Sequence, residues 1–424
     1  MCFKRTILFF ALVCGATCQA MELLAITEAA SHFRSGNPKL DVILEKALLN
    51  PLLQASAASD GTIYVKTGDI PAQWLRDSSA EVTPLLLFAK KDAQVASFLK
   101  RVIKREMKAI SIDPYANAYR EDYSVWEERL EIDSVAYPVI LAWTFWKVTG
   151  DGSLFDADFE TALHQILTLV RNEQNHRESP RKYRHPESLP TPASFTGMIW
   201  DAFRPSDDPT KFHYLIPAEM MLAVALDHLG EIETKVYRDL VRASFARELE
   251  TEIQIGIETY GKVATDKFGL IYAYEVDGLG NHLLMDDANL PSLLSAPYFG
   301  YLSAEDPVYL NTRKFILSEE NPYFFKGKFA RGVGSPHTET GFVWPLSIVA
   351  QGLTSHSASE QKKLINMILA SDPGDHLLHE SFDPNQPKHF TREDFGWPNS
   401  LFAEWVLTTV GKLPALPKLK RIVH

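Results

Sequence analysis

The helical spacing of its apolar residues limits the fold of this sequence more than any other feature. Apolar side chains recur at the spacing of amphipathic helices in about eleven segments of the 424-residue chain. Strand patterns are strong only in Thr62–Lys66 and Leu270–Glu275, and Ile257–Val263 could form a small hairpin. The predicted helices are Val42–Gln54, Thr83–Ala89, Ala93–Ile110, Ile132–Val148, Phe159–Arg171, Pro217–Leu229, Thr234–Ile255, Pro307–Leu317, Trp344–Gly352, Glu360–Ala370 and Ser400–Thr409.

The order of these segments predicts one all-α domain over residues 21–424. Helices and strands do not alternate, and the sequence has no internal repeat and no linker-like stretch. The Pro-, Glu- and Arg-rich run Asn172–Pro192 is interpreted as an excursion within the domain. A solenoid would show repeats, and a bundle of this length would be unusual. We therefore expect helices paired into a closed double ring, with minor β-hairpins in the loops.

The first twenty residues have the pattern of a secretory signal peptide. Lys4 and Arg5 precede the short apolar run Ile7–Val13, and cleavage after Ala16 or Ala20 would fit. All three cysteines lie in this segment, so the mature chain would contain none. We expect an exported protein, periplasmic or secreted, whose large core needs no disulfide. No apolar run is long enough to span a bilayer, so no membrane contact is expected after cleavage.

The charge balance of the chain argues against nucleic acid as a partner. The sequence has 43 Lys and Arg residues and 54 Asp and Glu residues, which gives a formal net charge of −11. No basic stripe is present, whereas nucleic-acid-binding proteins usually carry one. An acidic surface suits a neutral or cationic ligand.

The segment Thr67–Ser79 (TGDIPAQWLRDSS) brings Asp69, Trp74, Arg76 and Asp77 together between a loop and a predicted helix. Gly and Pro mark the loop, and the helix is expected from Ala80 with Asp77 or the following serine as its N-cap. Such junctions often present functional groups. A buried ion pair of Arg76 and Asp77, with Trp74 in the core, is the structural alternative.

Six loop stretches share carboxylates, carboxamides and aromatic residues beside Gly or Pro. Five of the eight tryptophans lie in them or at their edges. Aromatic rings stack on the apolar faces of sugars, while charged and amide groups bind hydroxyls, so this composition favours a polyhydroxylated ligand. The stretches are Thr67–Ser79, Asp113–Asp133, Thr196–Tyr214, Asp277–Pro291, Gly332–Trp344 and His376–Ser400.

Other chemistries lack their sequence patterns. The sequence contains no glycine-rich phosphate loop and no GxSxG nucleophile motif. Zinc–thiolate chemistry needs cysteines that the mature chain would lack. Asp277, Asp286 and Asp287 could bind calcium, but their spacing differs from an EF-hand, and hydroxyl recognition or helix capping is preferred for them. No metal and no cofactor are expected.

Two carboxylates could form an acid–base pair. Asp207 and Asp208 follow Arg204 and Pro205, and Glu380 lies in HESF after a predicted helix. A carboxyl group among aromatic residues can stay protonated while another is held ionised by Arg or backbone amides. If Glu380 and one of the two aspartates face one pocket, they fit glycoside hydrolysis by two carboxylates. Spacing alone does not decide between Asp207 and Asp208.

Several blocks of the sequence, in order from about residue 25 to 412, closely resemble glycoside hydrolase family 125. This is the family of metal-independent exo-α-1,6-mannosidases. The resemblance implies an (α/α)6 barrel, an α-mannose-containing oligosaccharide or glycan as partner, and inversion of anomeric configuration. The blocks are TGDIPAQWLRDSS, DPYANAY, VWEERLEIDS, GMIW…FRPSDD…YLIPAEM, MDDANLPSLL, GVGSPHT, HESF and FTREDFGWPNSLFAE.

The resemblance also implies roles for individual residues. Asp207 would be the general acid, protonated at working pH, and Glu380 the general base that activates water, with Asp208 as the alternative acid. For inversion the two carboxyl groups should lie roughly 6.5–9.5 Å apart. The residues expected to line the pocket are Asp69, Trp74, Arg76, Asp77, Asn117, Glu131, Asp133, Arg204, Asp208, Tyr214, Asp286, Asp287, Asn289, His337 and Asn399.

Three other functions fit parts of the same pattern. A phosphorylase or a lyase on the same barrel would show phosphate-dependent turnover or an unsaturated product. A non-catalytic mannoside-binding protein would bind the sugar without releasing mannose. A purely structural helical protein would not need acids and indoles gathered in six loops.

Overall fold

The computed structural model describes residues 23–418, and the predicted signal peptide lies outside these residues. Helices dominate the described chain and form two concentric rings. The inner helices contact one another in sequence, and the last of them packs against the first, so the inner ring closes. This is the (α/α)6 barrel that the sequence predicts.

The inner ring consists of six largely buried segments, and each is preceded by a helix of the outer ring. Helix α1 (Leu24–His32) packs on α2 ahead of this alternation. The inner segments are α3 (Leu75–Val82) with α4 (Leu86–Ala89), α6 (Ile132–Thr149), α8 (Ile216–Ile232), the 3-10 turn Leu293–Ser295 with α10 (Ala296–Phe299), α12 (Pro345–Leu353) and α14 (Gly396–Thr409). The outer helices are α2 (Pro38–Gln54), α5 (Ala93–Ile112), α7 (Ala157–Glu173), α9 (Leu240–Tyr260), α11 (Pro307–Ile316) and α13 (Ala358–Ser371).

The two rings begin their helices differently. All six outer helices start at an Asn, Asp or Ser whose side chain accepts backbone N–H groups of the first turn, as N-caps do. The inner helices α3, α6, α8, α12 and α14 have no such side-chain cap. Their uncapped ends, which carry the positive pole of the helix dipole, are reached by the long outer-to-inner loops. Each of the six loop stretches lies in one of these connections.

Short antiparallel strands occur only within the loops and at their edges, in the part of the chain that the structure describes. Two sheets have three strands, β3–β4–β5 and β6–β9–β10, and the others are two-stranded. The strands are β1 (Ala55–Ala57), β2 (Ile63–Val65), β3 (Gln73–Trp74), β4 (Ala118–Tyr119), β5 (Val125–Glu127), β6 (Tyr214–Leu215), β7 (Lys262–Thr265), β8 (Gly269–Tyr272), β9 (Glu275–Val276), β10 (His282–Leu283), β11 (Phe324–Lys326), β12 (Arg331–Val333), β13 (Ser381–Asp383) and β14 (Gln386–Thr391).

Some predicted boundaries were wrong. Helix α3 begins at Leu75 with Trp74 as N-cap, so Asp77 lies inside the first turn instead of capping it. The predicted helix Thr234–Ile255 is interrupted at Arg238, whose φ of 58° lies in the left-handed region. The hairpin near Ile257–Val263 forms later than expected, because α9 continues to Tyr260. Burial of a segment against its neighbours overrides local propensity at these points.

No helix among residues 23–418 is both long and apolar enough to cross a membrane.

Candidate active site

A pocket of about 210 Å³ opens at the end of the barrel where the inner helices begin. Asp207 and Glu380, the two acids expected to act together, both line it. They come from loops that precede different inner helices, α8 and α14. The full lining is Thr67, Ile70, Trp74, Arg76, Asp77, Pro205, Ser206, Asp207, Asn289, His337, Trp344, Glu380, Arg392, Phe395 and Trp397.

A tight turn presents Asp207. The backbone N–H of Asp207 donates to the carbonyl of Arg204 over 2.9 Å, and the N–H of Arg204 donates to the carbonyl of Asp208 over 2.8 Å. Asp207 has a φ of 65°, a left-handed conformation that is uncommon outside glycine and is frequent at functional sites. Arg129 holds this conformation from outside, because its Nη1 donates to the carbonyl of Asp207 over 2.7 Å. The same guanidinium pairs with Glu187 of the excursion over 3.0 Å.

In the pocket wall, the guanidinium of Arg76 is shared by four carboxyl groups. Arg76 Nη1 donates to Glu131 over 2.8 Å and to Asp133 over 3.1 Å. Its Nη2 donates to Asp207 over 3.3 Å, and its Nε lies 3.4 Å from Asp77. Arg76 and all these partners except Asp207 are almost completely buried. The cluster therefore links the acid turn to the first turns of α3 and α6.

The pKa values in this cluster move in opposite directions. Burial raises the pKa of Glu131 well above its usual range, and it raises that of Asp133 to about 6, although Arg76 opposes both shifts. Burial also favours the neutral form of Asp207, but Arg76 and a hydrogen bond with Glu131 outweigh it and lower the pKa of Asp207. These opposite directions favour an ionised Asp207 and a protonated Glu131, whereas the sequence-based expectation has Asp207 protonated.

Glu380 lies across the pocket in a mostly buried position beside Arg392. Burial raises the pKa of Glu380, and the Arg392 guanidinium, with Nη1 3.8 Å from Glu380 Oε1, partly opposes that rise. Arg392 also pairs with Asp69 at the pocket margin, through Nε over 3.0 Å, and lies over the Phe395 ring. A carboxylate that lines a pocket next to a cation is suited to accept a proton from water.

His337 lines the same pocket as the two acids. Its Nδ1 is 3.5 Å from Asp208 Oδ1, and this hydrogen bond, reinforced by the charges of Asp208, Asp207 and Glu380, raises the pKa of His337. Asp208 itself does not line the pocket and accepts a hydrogen bond from Ser206 over 3.1 Å. Asp208 therefore supports His337 from outside the pocket wall.

Three indoles, of Trp74, Trp344 and Trp397, form part of the pocket wall. Trp397 lies 5.3 Å from the Arg76 guanidinium, and Trp344 Nε1 donates to Thr338 over 2.8 Å. Among the described residues, the buried indole N–H groups of Trp74 and Trp397 have no hydrogen-bond acceptor. Apolar ring faces and unpaired N–H donors together suit a sugar with its ring face and hydroxyls.

Some of the predicted site residues line the pocket, and others hold the lining residues in position. Seven of them line the pocket: Trp74, Arg76, Asp77, Asp207, Asn289, His337 and Glu380. Glu131 and Asp133 lie behind Arg76, and Asp69 holds Arg392 at the margin. Asp287 accepts hydrogen bonds from Asn289 Nδ2 over 2.9 Å and from Ser335 Oγ over 2.9 Å, so it orients a lining residue.

The side chains of the remaining predicted residues form hydrogen bonds or ion pairs that hold the loops in place. Arg204 pairs with Glu275 over 2.6 Å, and Tyr214 donates to the carbonyl of Ser194 over 2.7 Å. Asn117 donates to Glu127 over 3.0 Å. Asp286 accepts the backbone N–H groups of residues 293 and 294, which is the capping alternative to a calcium site. Asn399 bonds both backbone groups of residue 378. None of these five side chains lines the pocket.

Sequence reasoning missed Arg392, Phe395 and Arg129. Arg392 and Phe395 lie in the block FTREDFGW, inside the sixth loop stretch, so their position in a recognised block was the available signal. Arg129 acts on a backbone carbonyl 78 residues away in the chain, and no local pattern could reveal that contact.

Comparison with known proteins identifies the family. The family described as metal-independent alpha-mannosidase (GH125) matches residues 37–407. The chain is 36% identical to the meiotically up-regulated gene 157 protein of Schizosaccharomyces pombe (strain 972 / ATCC 24843), over 84% of this chain and 78% of that protein.

Solved structures agree with this assignment. A metal-independent alpha mannosidase of Streptococcus pneumoniae, in a non-productive complex with α-1,6-mannobiose, is 39% identical with a TM-score of 0.86, over 91% of this chain and 96% of that chain. A bacterial glucoamylase complexed with acarbose shares the fold, with a TM-score of 0.65 at 13% identity, over 91% of this chain and 58% of that one. The chain belongs to glycoside hydrolase family 125, the family described as metal-independent alpha-mannosidase, and is an α-mannosidase.

Proposed function

We propose that this α-mannosidase is an exo-acting enzyme that releases mannose from the non-reducing end of α-1,6-linked mannosides with inversion. The observation that carries the proposal is that Asp207 and Glu380, from loops 173 residues apart, line one pocket. Most glycoside hydrolases use a pair of carboxyl groups, one on each side of the glycosidic bond. The similarity to a mannosidase studied with α-1,6-mannobiose supports the linkage.

The pocket supports exo action by its size and its walls. A volume of about 210 Å³ suits a single hexose, and the Arg76 cluster lies in its wall. A terminal mannose would stack on the indoles and bind Asp77 and Asn289 through its hydroxyls. The rest of the glycan would then extend toward the pocket margin, where Asp69 and Arg392 lie.

The two acids have complementary roles in the proposed reaction. Asp207 donates a proton to the glycosidic oxygen, so that the bond to C1 breaks and both its electrons stay with the leaving oxygen. Glu380 takes a proton from a water molecule on the opposite face, and the water oxygen forms the new bond to C1. Arg392 opposes the rise in the pKa of the buried Glu380 and so favours its ionised form, which a base requires.

The stereochemistry of the first product tests the proposal directly. Proton NMR of α-1,6-mannobiose hydrolysis should show β-mannose first, with the α-anomer appearing later by mutarotation. Formation of α-mannose first would contradict inversion. The appearance of mannose 1-phosphate only in phosphate buffer, or of an unsaturated product, would instead indicate the phosphorylase or lyase alternative.

Removing either acid tests the roles. Asp207→Asn and Glu380→Gln should each lower kcat on α-1,6-mannobiose by about 10²–10⁴-fold, the usual contribution of general acid–base catalysis. Their unfolding midpoints should change little, because both groups border the pocket. Asp208→Asn is the matched control for the acid, and it should retain far more activity. Near-normal turnover in both acid variants would refute the assignment.

We also propose that the chain is exported through residues 1–20 as a signal peptide. The support is the basic pair, the short apolar run and the confinement of all cysteines to this segment. N-terminal sequencing of the protein recovered from the expressing host should start after Ala16 or Ala20. An intact N-terminus on active cellular protein would contradict export.

A further inference from the structure

The four carboxyl groups around Arg76 would repel one another if all of them were ionised. Asp77, Glu131, Asp133 and Asp207 all contact the one guanidinium. If all four were ionised, one positive charge would face four negative charges in a buried cluster. Charges of equal sign repel strongly at such distances when water is excluded. This repulsion favours retention of a proton by the cluster in the working pH range.

The geometry singles out Glu131 as the group that keeps it. Glu131 is 1% exposed, and its Oε2 accepts from Arg76 over 2.8 Å and from Ser134 over 3.0 Å. Among the described residues no donor reaches its second oxygen, Oε1, and the same holds for Asp77 Oδ2 and Asp133 Oδ1. What distinguishes Glu131 is its hydrogen bond with Asp207, whose carboxyl group lies on the neighbouring nitrogen of the same guanidinium. A hydrogen bond between two carboxyl groups requires that one of them carries a proton.

The surrounding titratable groups reinforce this arrangement. Arg76 and Asp77 face the pair from α3, and Asp133 faces it from α6. Tyr183 of the excursion lies near Glu131, whereas Glu127, Arg129 and His337 act on Asp207. The cations thus favour an ionised Asp207, and the site around Glu131 favours a neutral carboxyl group, consistent with the opposite shifts in their pKa values.

We propose that Glu131 is a positioning residue that stores the catalytic proton and passes it to Asp207 when a glycoside binds. This inference rests on the proposed role of Asp207 as general acid. The proton moves from Glu131 to the Asp207 carboxylate along their hydrogen bond, and then to the glycosidic oxygen as the bond to C1 breaks. Water supplies the new oxygen on C1, and its proton goes to Glu380. Glu380 returns a proton to solvent and Glu131 takes one up, so the cycle balances.

A substrate whose leaving group needs no proton distinguishes a role of Glu131 in proton supply from a purely structural role. Glu131→Gln should lower kcat on α-1,6-mannobiose by about 10²-fold, a typical general-acid contribution. The same variant should hydrolyse α-mannosyl fluoride within a few-fold of the wild-type rate, because fluoride leaves as the anion. Equal losses on both substrates, or no loss on mannobiose, would overturn the proposal.

Two further variants test whether the dependence on the leaving group is specific to Glu131 and Asp207. Asp133→Asn removes a carboxylate from the same Arg76 nitrogen but not the hydrogen bond to Asp207, so its losses should not depend on the leaving group. Leaving-group dependence in Asp133→Asn would overturn the assignment to Glu131. Asp207→Asn should also lose mannobiose activity and keep fluoride activity. If it does not, the acid role of Asp207 fails, which is a different result from failure of Glu131.

A spectroscopic measurement keeps the proposal testable if Glu131→Gln does not fold. Protein labelled with ¹³C at the glutamate carboxyl carbon should show a resonance that titrates above the usual glutamate range. In Asp207→Asn this resonance should titrate at lower pH, because the charge of Asp207 raises the pKa of Glu131. The buried Glu106 and Glu219 should be unaffected and serve as internal controls. A spectrum in which Asp207→Asn moves no such resonance would refute the proton store.

Discussion

At the scale of single residues, Arg76 organises the chemistry of the pocket. All three of its guanidinium nitrogens contact carboxyl groups, and its own pKa is raised well above the usual value because these acidic neighbours outweigh its burial. A lysine could not replace it, because an ammonium cannot present a planar fork to several carboxylates at once. The same residue therefore ties two inner helices together and sets the ionisation of the proposed acid.

Arg392 has the corresponding effect on the proposed base. Because its charge opposes the rise in the pKa of Glu380, Arg392→Met should raise that pKa further. An essential base must be ionised, and kcat/KM falls about tenfold per pH unit below its pKa. The acid limb of the pH profile on α-1,6-mannobiose should therefore move to higher pH, while activity on the alkaline side changes much less.

The matched control for Arg392→Met is Arg247→Met, on the exposed face of outer helix α9. It removes the same charge away from the pocket and should leave the acid limb in place. An acid limb of Arg392→Met that stays at the wild-type pH, or moves to lower pH, would contradict the role of Arg392.

At the scale of elements, the long loops before the inner helices shape the pocket margin. The loop before α3 and the loop before α14 meet at the pocket margin, where Arg392 also donates to the carbonyl of Thr67 over 3.3 Å. Gly68 makes this approach possible. Its φ is 55°, and a Cβ there would lie 2.2 Å from the carbonyl oxygen of Asp394.

Gly68→Ala should therefore damage both stability and activity. The left-handed φ alone costs about 1 kcal/mol for alanine. The clash with residue 394 should in addition separate Asp69 from Arg392 and lower kcat/KM on α-1,6-mannobiose. Chemical unfolding and steady-state kinetics of the same preparation would measure the two effects.

Gly61→Ala provides the control for backbone strain. Gly61 has a φ of 84°, and nothing lies within 4 Å of a Cβ built there. This variant should show the stability loss of a left-handed alanine with normal kinetics. If both variants had the same kinetics, the contact between the two loops would not shape the pocket.

The helices were largely predictable from the sequence, and so were the strands at Thr62–Lys66 and Leu270–Glu275, which form β2 and β8 with the start of β9. The shortest strands were not predictable. Apolar spacing located five of the six outer helices and the inner helices α6, α8, α12 and α14 to within about four residues. The exception in the outer ring is α9, which begins and ends later than predicted. The strands β3, β4 and β6 have two residues each. Such strands form because the barrel brings loops together. Two residues are too few to show the alternating polar and apolar pattern that predicts a strand.

At the scale of the whole molecule, buried carboxyl groups should set the pH dependence of stability. Burial raises the pKa of Glu81, Asp201 and Glu219 well above their usual ranges and that of Glu106 to about 8. The folded state therefore holds protons that the unfolded chain releases. This stability is fully present below the unfolded pKa near 4.5 and is lost as the pH rises toward 8.

Carboxylates with lowered pKa values act in the opposite range. Asp156 and Asp372, each paired with a lysine, lose their contribution as the pH falls below about 4. We therefore expect the free energy of unfolding, measured with urea, to be greatest near pH 5 and to decline toward pH 8. Glu106→Gln should flatten the decline by on the order of 3 kcal/mol at pH 7. Stability that increases between pH 5 and pH 8 would contradict this expectation.

The sequence by itself determined the helical class, the six loops with their acids and indoles, and the two acids proposed to act together. These properties are local, because helical spacing and loop composition can be counted along the chain. The tertiary structure alone decided which loop side chains line the pocket and which, like Asn399 and Tyr214, hold the scaffold. It also brought Glu131 and Asp207 onto one guanidinium, and it raised the pKa of Glu131 through burial and through charges that meet only when the ring closes.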